Sequence, residues 1–161
     1  MRIKPNIDDK RLTRKIFGFN ELLKRTKLDV IEEKPLSLFL NDQEIVTMMT
    51  INDHPKFLAL GYLLNQNMIS SRTKIEKVEY YDDLMTVVVR TKKPVDYQKK
   101  LRKKTLTSGC AQGTLFGDIM ESFKKIKFKD VPKLKMSWIY ELSKKINLMP
   151  SLYLKAGAIH G

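Results

Sequence analysis

The stretch Leu36-Ser37-Leu38-Phe39-Leu40-Asn41-Asp42-Gln43-Glu44-Ile45-Val46-Thr47-Met48-Met49-Thr50 decides the fold. Two apolar runs flank Asn41-Asp42, a polar pair suited to a tight turn, so the segment reads as a β-hairpin. Downstream, Asn52 and Asp53 are good N-cap residues and Pro55 suits a first helical turn. Phe57, Leu58, Leu60, Gly61, Leu63 and Leu64 then give a helix to about Gln66, apolar enough to be largely buried. A second hairpin is predicted next. Lys74 to Tyr80 alternates polar and apolar, Asp82-Asp83 turns, and Met85-Thr86-Val87-Val88-Val89-Arg90 is rich in β-branched residues.

Further on, Asp118 with Glu121 three residues later forms a capping box for a helix carrying Ile119, Met120, Phe123 and Ile126. Pro132 interrupts the pattern. A helix is predicted over about Met136 to Asn147, with Trp138 and Tyr140 as core or boundary residues, and Pro150 ends it. Ser151-Leu152-Tyr153-Leu154 reads as a buried strand. Upstream, residues 1–30 are basic and weakly patterned, and read as a loosely attached arm or edge element. The order of elements predicts an α/β domain, with α+β as the other class, built on a mixed sheet with flanking helices.

Composition narrows the function. Lys and Arg exceed Asp and Glu by 31 to 18, a formal charge of +13, which attracts polyanions or phosphorylated ligands. The excess is concentrated in residues 92–104, where Lys92, Lys93, Lys99, Lys100, Arg102, Lys103 and Lys104 face the single acid Asp96. No apolar run approaches a membrane span, and the charged N-terminus lacks a signal-peptide core, so a soluble cytoplasmic protein is expected. A single cysteine excludes an internal disulfide, and with only His54 and His160 beside it no ordinary zinc site or protein-ligated metal is expected.

That cysteine, Cys110, lies in Thr107-Ser108-Gly109-Cys110-Ala111-Gln112-Gly113-Thr114, directly after the basic segment. Flanking glycines favour access to the sulfur, nearby cations favour its thiolate, and free backbone N–H groups in such a loop stabilise an anion. The residues therefore suit nucleophilic sulfur chemistry, with Cys110 as the reactive group. His54 reads as a capping-region residue.

Several blocks together resemble a known family. Glu33-Lys34-Pro35-Leu36 with Leu40-Asn41, Met48-Met49-Thr50, Leu58-Ala59-Leu60-Gly61-Tyr62-Leu63 and Met68-Ile69 look like the opening signature of the formate dehydrogenase accessory sulfurtransferases, the FdhD family. Ser108-Gly109-Cys110-Ala111-Gln112-Gly113 is similar to its reactive loop, and Ala156-Gly157-Ala158-Ile159-His160 resembles its downstream glycine-histidine motif. The resemblance runs over about residues 30–161.

The resemblance implies a core similar to the cytidine deaminase fold, in a sulfurtransferase domain at 31–161 preceded by the arm at 1–30. It implies a homodimer that receives persulfide sulfur from a cysteine desulfurase. The sulfur passes to a molybdenum or tungsten bis(molybdopterin guanine dinucleotide) cofactor, bound as substrate, for formate dehydrogenase. Carried over onto this sequence, Cys110 is catalytic and Gly157 and His160 of the glycine-histidine motif contact the cofactor, while by their own chemistry Lys103 and Lys104 are expected to attract its phosphates and Gly109 and Gly113 to leave room for it beside the thiol. Two departures stand out: Gly113 occupies the position where many members have a second cysteine, and the chain is C-terminally truncated relative to the family, so the domain is expected to be incomplete there. The rival reading is a basic nucleic-acid-binding module in which Cys110 is incidental, although Lys92 to Lys104 offers only Tyr97 for stacking. A zinc deaminase of the related fold lacks its metal-ligand set here.

Overall fold

The computed structural model describes residues 3–4, 6–95, 104–105, 115–116 and 133–156. The chain divides into two compact units: Glu33–Ile126, and Met1–Glu32 together with Lys127–Gly161.

The central unit is organised by the predicted hairpin. Strand β3 (Lys34–Leu40) pairs antiparallel with β4 (Gln43–Thr50) across Asn41-Asp42. Asn41 takes φ 54°, a left-handed conformation that asparagine tolerates better than most residues. Leu36, Leu38 and Leu40 alternate into the core. In β4 the neighbours Ile45 and Val46 are both buried, which a regular strand forbids. A register shift explains this: Leu38 pairs with Val46 and Phe39 with Glu44, leaving Ile45 as the extra residue of a bulge.

The second predicted hairpin forms from β5 (Ile75–Tyr81) and β6 (Thr86–Thr91). β6 also pairs parallel with β3, from Ser37 opposite Thr86 to Leu40 opposite Val89. The sheet order is therefore β4-β3-β6-β5, a mixed sheet. A parallel pair needs a long crossover, supplied by β4, helix α1 (Pro55–Asn65) and β5. The core gathers Leu36, Leu38, Leu40, Val87 and Val89 of the two parallel strands with Ala59 and Leu63 of α1. Burying each leucine fully is worth roughly 1.5–3 kcal/mol. The fold is thus a mixed sheet with flanking helices, and α+β is the better class name.

Helix α1 differs from expectation at both ends. His54, not Asn52 or Asp53, is the N-cap, in left-handed conformation and with no side-chain capping bond. Asn52 is committed elsewhere: its amide donates to the Tyr80 hydroxyl, and its backbone N–H to Thr50 Oγ1 at 3.2 Å. The helix closes in a Schellman motif, with Met68 N–H to Leu63 O at 2.9 Å, Asn67 N–H to Leu64 O at 3.0 Å, and Asn67 at φ 53°. Nor is α1 largely buried. Ala59 and Leu63 are, while Phe57 and Leu64 stand exposed, so one stripe alone faces the core.

In the other unit, residues 1–30 hold more order than an arm. β1 (Thr13–Phe19) pairs antiparallel with β2 (Arg25–Ile31). Its turn is built by Asn20, whose Oδ1 accepts from the backbone N–H groups of Leu22 (3.0 Å) and Lys24 (2.9 Å). At the foot, Glu32 N–H donates to Leu12 O at 3.2 Å. Nearby, the Arg11 guanidinium holds the Asp9 carboxyl down at about 2, chiefly by a side-chain hydrogen bond.

Helix α2 (Met136–Leu148) forms where predicted, but none of its residues is buried, and Trp138 and Tyr140 are exposed rather than core. The strand predicted at 151–154 is instead a short helix, α3 (Leu152–Ala156). Ser151 explains the change, because its Oγ accepts from Leu154 N–H at 3.3 Å in the manner of an N-cap. Lys155 Nζ then donates to Ile7 O at 2.8 Å. The helix predicted from Asp118 lies outside the described residues.

Candidate functional site

The polar centre of the sheet unit lies where the parallel strands β3 and β6 end. Asn41 ties these ends together: its Nδ2 donates to Thr91 Oγ1 at 3.2 Å, and its Oδ1 accepts from Thr91 N–H at 2.9 Å. The Asn41 N–H donates to Val89 O at 2.8 Å. Thr91 Oγ1 in turn donates to Lys93 O at 2.7 Å. This knot fixes the direction in which the chain leaves the sheet toward the basic segment. It also stands at the carboxyl ends of the parallel strands, where open sheets commonly take ligands.

Two hollows flank the knot. One, of about 430 Å³, includes Asp42, Glu76 and Arg90, and its charges are largely internal. Arg90 lies 3.6 Å from Asp42 and 3.4 Å from Glu79. Glu79 also meets Lys77 at 2.6 Å, and that hydrogen bond first of all lowers the glutamate's pKa and raises the lysine's. The other hollow, of about 550 Å³, is lined by Arg72, Lys74, Lys92 and Lys93, with no acid among the described residues. No ion pair among the described residues engages these four cations.

At the opposite end of β6 a second polar cluster has a structural role. The Tyr80 hydroxyl donates to Asp82 Oδ1 at 2.7 Å, with Met85 Sδ at 3.6 Å. His54 is a capping-region residue, its Nε2 3.4 Å from Asp53 and its ring 5.9 Å from that of Phe57.

Of the site residues predicted from sequence, Lys104 is placed in β7 (Lys104–Thr105), which pairs antiparallel with β8 (Leu115–Phe116). Its register sets Lys104 opposite Phe116 and Thr105 opposite Leu115. Cys110, Lys103, Gly109, Gly113, Gly157 and His160 themselves lie outside the described residues. Among the described residues no cluster of three metal-ligating side chains occurs, and no helix is long and apolar enough to cross a membrane. Arg72 and Lys74 were missed as partners of Lys92 and Lys93. A hairpin centred on Asp82-Asp83 was the available signal, since its pairing sets the residues flanking its two outer ends side by side.

The family model described as "FdhD/NarQ family" matches residues 31–161, a span that contains the sheet, the cationic hollow and Cys110. The chain belongs to the FdhD/NarQ family. Among similar proteins are those named "Sulfur carrier protein FdhD" from Wolinella succinogenes, 24% identical over 135 residues, and from Listeria innocua, 24% identical over 134. Each alignment covers 81% of this chain, with 46% of the Wolinella protein and 51% of the Listeria one. A third, from Shouchella clausii, is 21% identical over 136 residues, covering 81% of this chain and 51% of that protein. The chain therefore spans about half the length of the curated relatives it matches. Residues 1–30, with nearly all of the β1–β2 hairpin, fall outside the family match.

Proposed function

We propose that this chain is a sulfur carrier in the maturation of a formate dehydrogenase, working in the cytoplasm as a sulfurtransferase through a persulfide on Cys110. One observation carries the reading: the family match over residues 31–161 encloses the only thiol in the chain. Relatives bearing the sulfur-carrier name support it.

The chemistry balances as thiol–persulfide exchange. The Cys110 thiolate attacks the terminal sulfur of a persulfide on a cysteine desulfurase; a new S–S bond forms, the donor's S–S bond breaks, and the electron pair leaves on the donor thiolate. Cys110 then holds Cys–S–SH. Releasing that sulfur at the sulfide level takes two electrons, which external thiols supply by ending as a disulfide, because Gly113 offers no second cysteine in the loop. The acceptor in this reading is the molybdenum or tungsten bis(molybdopterin guanine dinucleotide) cofactor, bound as substrate. Lys103, Lys104 and His160 would meet its phosphates, with Gly109, Gly113 and Gly157 allowing close backbone approach. The working form is a homodimer, and the cofactor is passed on to formate dehydrogenase.

The test is to incubate the protein with a cysteine desulfurase and cysteine and weigh it intact. A gain of one sulfur, about 32 Da, absent from Cys110→Ser, is the expected persulfide signature. An unchanged wild-type mass sinks the proposal.

A further inference from the structure

We infer that the tip of the β1–β2 hairpin is a peripheral docking surface for an anionic lipid bilayer, with Leu22 and Leu23 entering the headgroup boundary. Nearly all of this hairpin falls outside the family match, so the inference goes beyond the sulfur-carrier reading and does not rest on it. At the tip Leu22 is 67% and Leu23 82% exposed, and on the strand leading to it Phe17 and Phe19 are 59% and 70% exposed. Single exposed apolar side chains are ordinary on a protein surface, but four large ones gathered at one end of a hairpin mark a contact surface. The register sets Phe17 opposite Lys27 and Phe19 opposite Arg25, so both rings and both cations share one face of the ladder.

The turn holds the leucines out on fixed backbone. Leu23 N–H donates to Asn20 O at 2.9 Å and Asn20 N–H to Lys24 O at 3.1 Å, beside the two bonds that Asn20 Oδ1 accepts. Leu23 takes φ 56°, a left-handed conformation in which glycine or asparagine is at less strain, so local stability does not favour a leucine there. Around the apolar tip stand Arg14, Lys15, Lys24, Arg25 and Lys27, all exposed and none in an ion pair among the described residues. Arg25 and Lys27 lie 4.1 and 5.7 Å over the Phe17 ring, so charge and apolar surface are contiguous. The hairpin's carboxylates are Glu21 in the turn and Asp29 opposite Lys15. Each Lys or Arg near an anionic membrane adds attraction, and apolar groups beyond them add burial at the headgroup boundary. A bilayer suits this tip better than a nucleic acid does, because its most exposed side chain is a leucine, which offers no ring face for a base to stack on.

Flotation of the full chain with vesicles of equal parts phosphatidylglycerol and phosphatidylcholine, against vesicles of phosphatidylcholine alone, tests this. Binding is expected to the first and to be weaker by at least about tenfold to the second. Leu22→Ser/Leu23→Asn keeps every charge and eases the left-handed turn, and is expected to weaken binding to the anionic vesicles by at least about tenfold. Lys24→Gln/Lys27→Gln is expected to do the same, and Glu21→Gln to strengthen binding by roughly threefold. Lys144→Gln/Lys145→Gln on α2, the other element with exposed apolar side chains, removes equal charge and is expected to bind as the wild type does. Wild-type-like binding by the leucine pair overturns the inference, as does the absence of binding to anionic vesicles. Equal losses in the two lysine pairs would assign the effect to net charge or to α2 and overturn it too. So would capture of an oligothymidylate in place of vesicles, which makes the hairpin a nucleic-acid surface. Circular dichroism of each variant checks that the fold is kept. Cys110→Ser is expected to float like the wild type, so this inference and the sulfur-carrier reading fail separately.

Discussion

The β3–β4 and β1–β2 hairpins are antiparallel pairs of nearly equal length, yet they are held by different forces. In the first, Leu36, Leu38, Leu40, Ile45, Val46 and Met48 are all buried. In the second, Ile16, Phe17, Phe19 and Leu28 remain exposed, Phe19 to 70%. What fixes the second is the Asn20 turn, the ladder itself, Arg25 lying 4.1 Å over the Phe17 ring, and the short helix α3, which packs against β2 and buries Leu152. Burial sets register strongly because a one-residue slip turns an entire apolar face to water, whereas a turn and a few polar contacts set it weakly.

The largest expected effect tests that contrast directly. Leu63→Ala opens a hole beneath the sheet at a fully buried position and should cost about 2–5 kcal/mol. Leu28→Ala, at 43% exposure, should cost less than about 1 kcal/mol. Urea unfolding followed by circular dichroism reads both. Similar losses would mean that the β1–β2 hairpin depends on burial as much as the sheet does.

This difference also governs what could be read from the sequence. Leu36 to Thr50 and Lys74 to Arg90 alternate because one face is buried, so both hairpins and the mixed sheet were legible. The strand at 13–19 carries no such alternation, the one at 25–31 alternates only through Lys27-Leu28-Asp29-Val30, and the hydrogen bonds of Asn20 leave no periodic trace. The bulge at Ile45 and the helix at Leu152 were hidden for a related reason. Each depends on which backbone partner wins, as Ser151 shows by capping where an apolar run suggested a strand. At the candidate site, Cys110 and the basic segment were legible as chemistry. The cationic hollow was not, because Arg72 and Lys74 join Lys92 and Lys93 only once the hairpin pairs.

A middle-sized effect is expected at Asn41, which belongs to the well-buried hairpin yet acts through polar bonds. Asn41→Ala loses the bonds to Thr91 and strains a left-handed residue, and should cost about 2–3 kcal/mol. Asn41→Gly keeps the turn and should recover roughly 1 kcal/mol of that. Equal stability of the two variants would mean that strain is irrelevant there and that the side-chain bonds carry the whole effect.

The smallest effect sharpens the comparison by showing where burial in the sheet unit works against the fold. The Tyr62 hydroxyl is buried and has no hydrogen-bond partner among the described residues, although its ring packs against the core. A desolvated hydroxyl without a partner costs more than it returns, so Tyr62→Phe should hold or raise stability, by up to about 1 kcal/mol. The pH dependence gives a second handle. Burial pushes the Tyr62 pKa above its ordinary value of 10.0, so the folded chain holds the phenol proton more tightly than the unfolded chain does. Stability from this source is intact below pH 10 and is lost as pH rises through the higher folded value, because the unfolded chain deprotonates first. Tyr62→Phe removes that loss. Urea midpoints measured from pH 8 upward should therefore fall more steeply for the wild type than for the variant, and parallel curves would show that the Tyr62 hydroxyl has found water.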